Sequence, residues 1–307
     1  MDNTDLAGSI VVGVDGSSGA MGAVEWAARQ AALERRPLVV LHSVGLLDSG
    51  ATYWLDRAGI DHGRLLAELA TAGHTILEEA AGHALRAEPA LEVRQVLRHV
   101  DPRQALLQAA QHARLVVLGS RGRGPVSSLL LGSVSVSVSK HASCPVVVIR
   151  PRETGPGGAG VMVATDGTER SAPALEFAFR IASFRSEHLT VTHCFWDAVK
   201  LSEGASDVPD DEPGLEDKRI LLAESVAGLR EEFPDVQVRL QLTRGFADHR
   251  LLLASTDMDL IVVGSHRVGL LTEVVYGSLA PTVVEHAHCA VAVVPFLEPA
   301  AAAPSTT

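Results

Sequence analysis

The chain has 307 residues, of which 47% are hydrophobic, 21% charged and 4% aromatic, with a formal net charge of −11 at pH 7. This length suffices for two domains with hydrophobic cores, and the apolar fraction argues against disorder. Three cysteines are too few for a disulfide framework, and no run of about 18 apolar residues predicts a membrane span. No basic targeting segment precedes Arg29, so we expect a cytoplasmic location.

The net charge belongs to the second half of the chain. Residues 1–150 contain 14 Lys and Arg and 14 Asp and Glu, which leaves 12 basic and 23 acidic residues for 151–307. Seven of these acids lie between Glu203 and Asp217, a segment that we expect to be a solvated loop. Neither half is basic enough to predict nucleic acid or an anionic membrane as the main partner.

Short apolar runs alternate with helical patterns along the first half. Near-continuous apolar strands separated by helices are typical of a parallel sheet covered on both faces, so we predict an α/β fold of doubly wound domains. The predicted strands are 10–14, 38–44, 91–97, 115–118 and 145–149, and the predicted helices are 19–35, 62–87 and 102–112.

The segment 133–139, SVSVSVS, alternates in the way a strand does. We nevertheless predict a helix, because Val134 and Val138 also lie one helical turn apart. The equivalent stretch 278–286 in the second half shows no alternation, which favours the same interpretation.

The second half repeats the first. The offset is 151 residues between Asp15 and Asp166 but 145 between Gly119 and Gly264, so the second copy is six residues shorter between its second and fourth strands. The matching segments are 10–17 with 161–168, 115–120 with 260–265, and 140–149 with 285–294. The predicted organisation is a domain at 1–150, a Pro- and Gly-rich linker at 151–160, a second domain at 161–297 and a tail at 298–307.

Ligands of open parallel sheets bind beyond the carboxyl ends of the strands. The first predicted strand ends in Gly13-Val14-Asp15, the fourth runs into the glycine-rich loop 119–124, and Gly132-Ser133 opens the last helix. Glycines let backbone N–H groups face an anion, and Arg121 and Arg123 could supply counter-charge. The pattern is neither a Walker A loop nor a dinucleotide fingerprint. Taken alone, it favours a plain strand-to-helix turn, with a phosphate site as the alternative.

The arrangement Gly-x2-Gly-x9-Gly-Ser, with Asp15 and the closing segment 141–149 (HASCPVVVI), resembles the universal stress protein family in its tandem form. The resemblance covers residues 9–150 and 160–296. It implies two repeated domains, each a five-stranded parallel sheet of strand order 3-2-1-4-5 with helices on both faces. It also implies ATP binding with little or no hydrolysis.

The resemblance further implies which residues contact the nucleotide. Asp15 would accept hydrogen bonds from the ribose hydroxyls, and Ser43 would contact adenine mainly through its backbone. Mg²⁺ would arrive with the nucleotide, since no His, Asp and Cys set for a protein-held metal is visible. The other implied contacts are Gly13 and Val14 at adenine and ribose, Gly119, Ser120, Arg121, Gly122, Arg123 and Gly124 around ribose and phosphates, and Gly132, Ser133, Val134 and Ser135 at the β- and γ-phosphates.

The second half departs from this pattern. Arg267 replaces the middle glycine, and Leu279-Ala280 replaces Val134-Ser135. The arginine would either block the phosphates or reach one of them, and the acidic surplus of this half repels a polyanion. We therefore expect weak or absent ATP binding there. The corresponding positions are Ala164, Thr165, Asp166, Gly264, Arg267, Gly277 and Ser278.

Other histidines and cysteines have plainer interpretations. His42 and His193 end equivalent strands, which favours a structural role over catalysis. His286, His288 and Cys289 could belong to a metal site, but a buried cysteine at a strand start is the favoured interpretation. Cys194 lies near the second pocket, where a redox role is the alternative. No catalytic Ser/His/Asp or Cys/His set can be assembled from the sequence.

The last strands of the two halves, 145–149 and 290–294, would be exposed hydrophobic edges in isolated domains. Pairing them within the chain would hide both. In the family that the sequence resembles, single domains dimerise through this strand. We therefore predict an intramolecular pseudo-dimer with approximate two-fold symmetry, and a homodimer of that unit.

Together with these features, the resemblance implies an ATP-binding stress-response regulator that responds to nucleotide without substantial turnover and acts on an unidentified protein partner. One alternative is a slow ATPase or phosphotransferase that uses the same loop. It predicts phosphate release that falls when Ser133 or Asp15 is replaced. A second alternative is a scaffold with vestigial sites, which predicts no nucleotide in the purified protein.

Overall fold

Ten strands form one sheet in the computed structural model, which describes residues 6–45, 61–120, 122, 131–151, 158–202, 207–266 and 279–296. Most are runs of Val, Ile and Leu, whose branched side chains suit a pleated, buried surface. In chain order they are β1 (Ile10–Gly13), β2 (Leu38–Ser43), β3 (Val93–Arg98), β4 (Leu115–Gly119), β5 (Val146–Ile149), β6 (Val161–Ala164), β7 (Leu189–Phe195), β8 (Val238–Arg244), β9 (Leu260–His266) and β10 (Ala290–Phe296).

The helices connect these strands, and the first three begin at side-chain caps. Ser17, Asp61 and Asp101 each accept a hydrogen bond from a backbone N–H of the first turn that follows. In chain order the helices are α1 (Ser18–Leu33), α2 (His62–Ala87), α3 (Pro102–Ala109), α4 (Ser133–His141), α5 (Ala172–Arg185), α6 (Ala198–Ser202), α7 (Glu216–Glu224), α8 (Ala227–Glu232), α9 (Ala247–Ala254) and α10 (Leu279–His286). Within the described ranges, none is both long and apolar enough to cross a bilayer.

The strand order across the sheet is β3-β2-β1-β4-β5-β10-β9-β6-β7-β8. Neighbouring strands are parallel except β5 and β10, which are antiparallel. The predicted α/β fold is confirmed, and each half has the order 3-2-1-4-5 that the resemblance implies. The order reverses between β1 and β4 in the first half. A crevice therefore opens at the carboxyl ends of these two strands.

Two buried layers, one on each face of the sheet, form the core, and each layer extends through both halves. Ile10 and Val12 of β1 belong to the layer beneath α1, α2 and α5, whereas Val11 belongs to the layer beneath α3, α4, α9 and α10. Both faces of each central strand are thus covered. This burial explains why the strands read as continuous apolar runs rather than as alternating ones.

The alternating segment 133–139 is helical, as predicted, within α4. Val138 is fully buried against the sheet. Ser135 is buried as well, and its hydroxyl donates to the carbonyl oxygen of Gly119 at 2.8 Å. The serine therefore has a partner inside the core, which removes the penalty that an unpaired hydroxyl would carry there.

The two halves join through β5 and β10, the intramolecular pairing that the sequence predicts. Val146 lies opposite Val293 in the antiparallel register. Helices on one face add a second contact between the halves, because the Arg185 guanidinium lies 4.3 Å above the Trp26 ring and donates to Gln30 Oε1 at 2.9 Å. The hydrophobic edges of the two five-stranded units are thereby covered.

The structure locates the six-residue length difference between the halves more closely than the sequence does. Leu38 of β2 pairs with Val93 of β3, and Leu189 of β7 pairs with Val238 of β8. Leu38 and Leu189, on the second strand of each half, are 151 residues apart in the sequence. Val93 and Val238, on the third strand of each half, are 145 residues apart. The second half is therefore shorter between its second and third strands.

The acidic segment of the second half is not simply a solvated loop, which corrects the expectation for 203–217. Residues 203–206 lie outside the described residues. Asp207 pairs with Arg250 at 2.6 Å, and Glu212 binds the buried guanidinium of Arg244 at 2.5 Å. A buried cation needs carboxylate partners, and these hold the segment against the end of β8.

Candidate functional site

A cavity of about 770 Å³ lies at the carboxyl ends of β1, β2 and β4. Every described residue that the sequence predicts for the first-half site lines it, namely Gly13, Val14, Asp15, Ser43, Gly119, Ser120, Gly122, Gly132, Ser133, Val134 and Ser135. The remaining predicted residues, Arg121, Arg123 and Gly124, lie outside the described residues. The fold thus gathers four separate segments of the sequence around one space.

Glycines allow close approaches at the floor of this cavity. A Cβ atom on Gly119 would lie 2.7 Å from the carbonyl oxygen of Gly19 at the start of α1. A Cβ atom on Gly122 would overlap Oδ2 of Asp15. A side chain at either position would displace backbone or the carboxylate, so glycine is what lets the end of β4 lie directly beside β1 and α1.

Two helix N-termini converge on the cavity, those of α1 and α4. Gly132 precedes α4 and provides no side-chain cap, so the first N–H groups of this helix are not occupied by a capping side chain. At α1, Ser17 caps Ala20 N at 3.2 Å, and Ser18 lines the cavity. Helix N-termini carry partial positive charge, which makes this end of the cavity suited to an anion.

Hydrogen bonds fix the loop residues beneath α4. The N–H group of Gly132 donates to the carbonyl oxygen of Ser120, and that of Ser120 donates to the carbonyl oxygen of Ile149, both at 2.8 Å. The hydroxyl of Ser135 is bonded to Gly119, so this predicted residue lines the cavity with its hydroxyl already engaged. Ser133, in contrast, is exposed at the first position of α4.

Part of the cavity wall is apolar. Pro102 and Leu106 of α3 form part of its wall together with Leu41. The Ser43 hydroxyl donates to the carbonyl oxygens of Val100 at 2.5 Å and Arg98 at 3.3 Å. Its side chain is therefore turned to β3, an orientation that fits the predicted backbone contact.

Asp15 contributes a carboxylate to the cavity lining. Its Oδ1 accepts a hydrogen bond from the N–H group of Ser17 at 3.0 Å, and its Oδ2 faces Gly122. A carboxylate in this place can accept hydrogen bonds from ligand hydroxyls.

Several lining residues are missed by reasoning from the sequence. The most informative are Ser17 and Ser18, for which the signal was present, because a serine pair before an apolar helical pattern is a helix cap. The apolar wall from α3 and Pro151 after β5 had no signal of their own. Their position depends on how α3 and β5 pack beside β1 and β4.

The second-half counterpart differs in its strand-one carboxylate. Asp166 Oδ1 accepts three hydrogen bonds from its own turn: from Thr168 N at 2.9 Å, Thr168 Oγ1 at 2.8 Å and Ser171 Oγ at 2.7 Å. Gly264 also lacks the close approach of Gly119, since the nearest atom to a Cβ there is 3.8 Å away.

The other predicted second-half positions divide into two groups. Ala164 is the last residue of β6, and Thr165, directly after it, is buried. Arg267, Gly277 and Ser278 lie outside the described residues. Next to Asp166 in the chain, Gly167 is in close contact with Leu221 of α7. A Cβ atom on this glycine would lie 2.6 Å from Leu221 Cγ.

A buried arginine that the sequence does not predict is the last residue of β8 in the second half. The side chain of Arg244 is 1% exposed and donates to Asp197 Oδ2 at 3.2 Å, Glu212 Oε1 at 2.5 Å and the carbonyl oxygen of Asp207 at 3.0 Å. The hydrogen bond to Glu212 raises the pKa of Arg244, and the same bond lowers the pKa of Glu212. The first half has His99 at this position.

The paired histidines make equivalent structural hydrogen bonds. Nδ1 of His42 donates to the carbonyl oxygen of Val14 at 2.7 Å, and Nδ1 of His193 donates to that of Thr165 at 3.0 Å. Each ring ties the end of the second strand to the end of the first strand in its half. The favoured structural interpretation fits both.

The cysteines are buried or half-buried thiols. Cys144 and Cys289 are buried at the starts of β5 and β10, and burial raises the pKa of Cys144 to about 12. Burial also raises the pKa of Cys194, whose sulfur lies 3.0 Å from Thr243 Oγ1. A thiol with a raised pKa is a poor nucleophile at neutral pH. Among the described residues, no three His, Cys, Asp or Glu side chains are grouped to hold a metal ion.

Comparison with known proteins finds one family over nearly the whole chain. The family model described as the universal stress protein family matches residues 7–150 and again 160–295. A universal stress protein of Mycolicibacterium smegmatis is 32% identical over 294 residues, which cover 93% of this chain and 96% of the relative. One of Mycobacterium tuberculosis is 34% identical over 300 residues, with coverage of 92% and 96%.

Among solved structures, the fold is similar to that of a universal stress protein from Archaeoglobus fulgidus. The TM-score is 0.69 at 19% identity, and the match covers 94% of this chain and 98% of the other. This likeness concerns the arrangement of both halves, because it extends over the full length of each chain.

Proposed function

The chain belongs to the universal stress protein family, and we propose that its first half binds ATP and responds to the nucleotide without substantial turnover. The observation that carries the proposal is the cavity beyond β1 and β4, into which two helix N-termini converge. It is supported by the chemical character of the lining, which includes apolar side chains, one carboxylate among the described residues and helix N-termini that carry partial positive charge. A nucleotide has parts that match each of these: a base, ribose hydroxyls and phosphates.

The residues present fit such a ligand. Pro102 and Leu106 offer an apolar surface to a base, and Asp15 can accept hydrogen bonds from ribose hydroxyls. The N–H groups at the start of α4, with the exposed Ser133, can donate to phosphate oxygens.

Mg²⁺ would be carried by the nucleotide rather than by the protein. When bound to ATP, the ion neutralises part of the phosphate charge. Asp15 is the one carboxylate among the described lining residues, and its Oδ1 is occupied by Ser17. This favours a metal that enters as part of the ligand.

The proposal of binding without substantial turnover rests on the carboxylate of the cavity. Hydrolysis needs a base to activate water near the terminal phosphate. Asp15, the one carboxylate of the described lining, accepts a hydrogen bond from its own turn and lies beside Gly122, a place that suits the ribose better than an attacking water. We infer that the ligand acts by stabilising one arrangement of the surrounding loops, which requires unequal affinity for two states.

The second half, in this proposal, binds ATP weakly or not at all. The carboxylate of Asp166 already accepts three hydrogen bonds from its own turn. In addition, Arg267 occupies the sequence position that Gly122 has in the first half. The domain limits at 1–150 and 161–297, the cytoplasmic location and the homodimer stay predictions. Sedimentation of the purified chain over a range of concentrations tests the homodimer.

The test begins with the purified full chain. Denaturation followed by chromatography should release about one ATP per chain, or calorimetry should show one site for ATP with Mg²⁺. Asp15→Asn should weaken binding at least about tenfold, whereas the matched variant Asp166→Asn should leave it unchanged. Two ATP per chain would contradict the proposed inactivity of the second half.

Two other results would favour the alternatives. Multiple-turnover phosphate release that falls in Ser133→Ala would indicate a slow ATPase or phosphotransferase. Absence of both copurified nucleotide and calorimetric binding would indicate a scaffold with vestigial sites.

A further inference from the structure

Two large aromatic side chains are exposed side by side on the second half. Trp196, directly after β7, is 61% exposed, and Phe246, directly before α9, is 66% exposed. Their ring centroids are 4.8 Å apart with an interplanar angle of 41°. Val199, three residues after the tryptophan, is exposed too. These three residues are called the aromatic patch below.

The two aromatic residues of the patch are not repeated at the equivalent positions of the first half. By the offsets of the repeat, Gly45 occupies the position of Trp196, and Asp101 that of Phe246. Exposed aromatic side chains that contact each other are rare on surfaces without a binding role and are enriched where proteins dock. By sequence position, the aromatic pair is therefore specific to the second half.

The backbone beneath the patch is held in place. The N–H group of Gly245 donates to the carbonyl oxygen of Phe195 at 2.9 Å, which joins the residues immediately before the two aromatics. The buried Arg244 then bonds Asp197, immediately after the tryptophan. A surface that is already ordered loses little conformational entropy when a partner binds.

Acidic side chains lie close to the patch. Arg244, which bonds Asp197 beside the tryptophan, also bonds Glu212 and the carbonyl oxygen of Asp207. Asp207 is 84% exposed, and Asp210 and Asp211, which follow it in the chain, are exposed as well. The surface therefore presents aromatic faces next to acidic side chains, called the acidic rim, on the half that carries the whole net charge of −11.

We propose that the aromatic patch is a docking site for an arginine-containing cationic segment of a partner protein. A guanidinium group can lie over the tryptophan face, as Arg185 does over Trp26 elsewhere in this chain, while neighbouring arginines meet the acidic rim. The same acidic field repels nucleic acid and anionic membranes, which leaves a cationic protein segment as the occupant. This inference goes beyond nucleotide binding and uses none of the cavity residues.

The test uses the full chain and a labelled synthetic peptide of about twelve residues that alternates arginine with alanine. Anisotropy at low ionic strength should show saturable binding. A lysine-alanine peptide should bind several-fold more weakly because lysine stacks less well on indole, and a glutamate-alanine peptide should not bind. The double variant Trp196→Ala/Phe246→Ala should lose at least about tenfold in affinity.

Phe184→Ala provides the matched control, since Phe184 is another exposed aromatic of the second half, near the end of α5. It should bind the arginine peptide as the wild type does. The proposal is overturned if the arginine peptide does not bind, or if the double variant binds it equally. It is also overturned if the glutamate peptide binds as well as the arginine peptide.

Sedimentation of the same variants excludes another occupant. If the wild type dimerises and the double variant does not, the patch belongs to a second copy of the chain, and the proposal is wrong. The Asp15→Asn variant, which should lose ATP binding, should bind the arginine peptide as the wild type does. Failure of the nucleotide proposal and failure of this one are thus distinguishable.

Discussion

Val147 of β5 lies directly opposite Ala292 of β10, and the two residues occupy the same position in their respective repeats. On either side of them, Val146 faces Val293 and Val148 faces Val291. The register is therefore symmetric about this one pair. An approximate two-fold axis passes between Val147 and Ala292 and relates the two halves, as the pseudo-dimer prediction requires.

This register predicts that Val147→Cys/Ala292→Cys forms a disulfide between the halves. Directly opposed residues of antiparallel strands have Cα atoms about 4.5–5.5 Å apart, within the range that a disulfide spans. Mass spectrometry of a digest without reductant should find the cross-linked peptide. In Val147→Cys/Val294→Cys both residues share the same buried layer but are not opposed, so no such peptide should form. A disulfide in the second variant alone would mean that the register is shifted.

The two equivalent glycines at the ends of β4 and β9 should respond differently to alanine. Gly119→Ala places a Cβ 2.7 Å from the carbonyl oxygen of Gly19, so backbone must move, and we expect a loss of about 2 kcal/mol in the free energy of unfolding. Gly264→Ala meets its nearest atom at 3.8 Å and should change this free energy by less than about 0.5 kcal/mol. Urea denaturation measures both. If both variants lost the same free energy of unfolding, the close approach of Gly119 to Gly19 would not contribute to stability.

Much of this architecture could be predicted from sequence because it depends on local patterns. The buried strands read as apolar runs, and the helix at 133–139 could be chosen over a strand because valines recur at helical spacing. The residues around the cavity could be grouped because parallel strands end at one edge. The structure adds that Ser135 turns its hydroxyl to Gly119, a contact between elements that no local pattern encodes.

The second half was harder to predict because its special features depend on tertiary neighbours. Arg244 appears in the sequence as one more surface charge. Only the fold shows that it is buried and holds Asp197 and Glu212. The acidic segment accordingly looked like a solvated loop. Exposure of Trp196 was equally hidden, since a tryptophan after a strand is more often part of a core.

Arg150 should stabilise the contact between the halves by capping a helix of the opposite half. Its Nη2 donates to the carbonyl oxygens of Val284 and Glu285 in the last turn of α10. These carbonyls have no partner within the helix, and a cation is favourable at this end. We expect Arg150→Gln to cost about 1–2 kcal/mol in the free energy of unfolding.

Two measurements check the role of Arg150. Arg64→Gln removes an exposed ion pair with Glu68 on α2 and should cost less than about 0.5 kcal/mol. Hydrogen exchange should quicken in α10 of the Arg150 variant, whereas exchange in α2 should stay unchanged. Unchanged exchange throughout α10 would show that the cap does not hold this helix.

Acid should remove the stabilising effect of Glu212 on the second half. The hydrogen bond from Arg244 lowers the pKa of this carboxyl below its ordinary value of 4.5. A carboxyl with a lowered pKa in the folded state stabilises the protein fully above its unfolded pKa, and this contribution is lost as the pH falls through the folded value. Glu212→Gln should therefore be less stable than the wild type at pH 7, and the difference in urea midpoint should shrink as the pH falls below about 4.5. Glu68→Gln, on an exposed pair, should show a small difference at every pH. A Glu212 difference that stays constant from pH 7 to below pH 4 would mean that the carboxylate charge does not hold the acidic segment against Arg244.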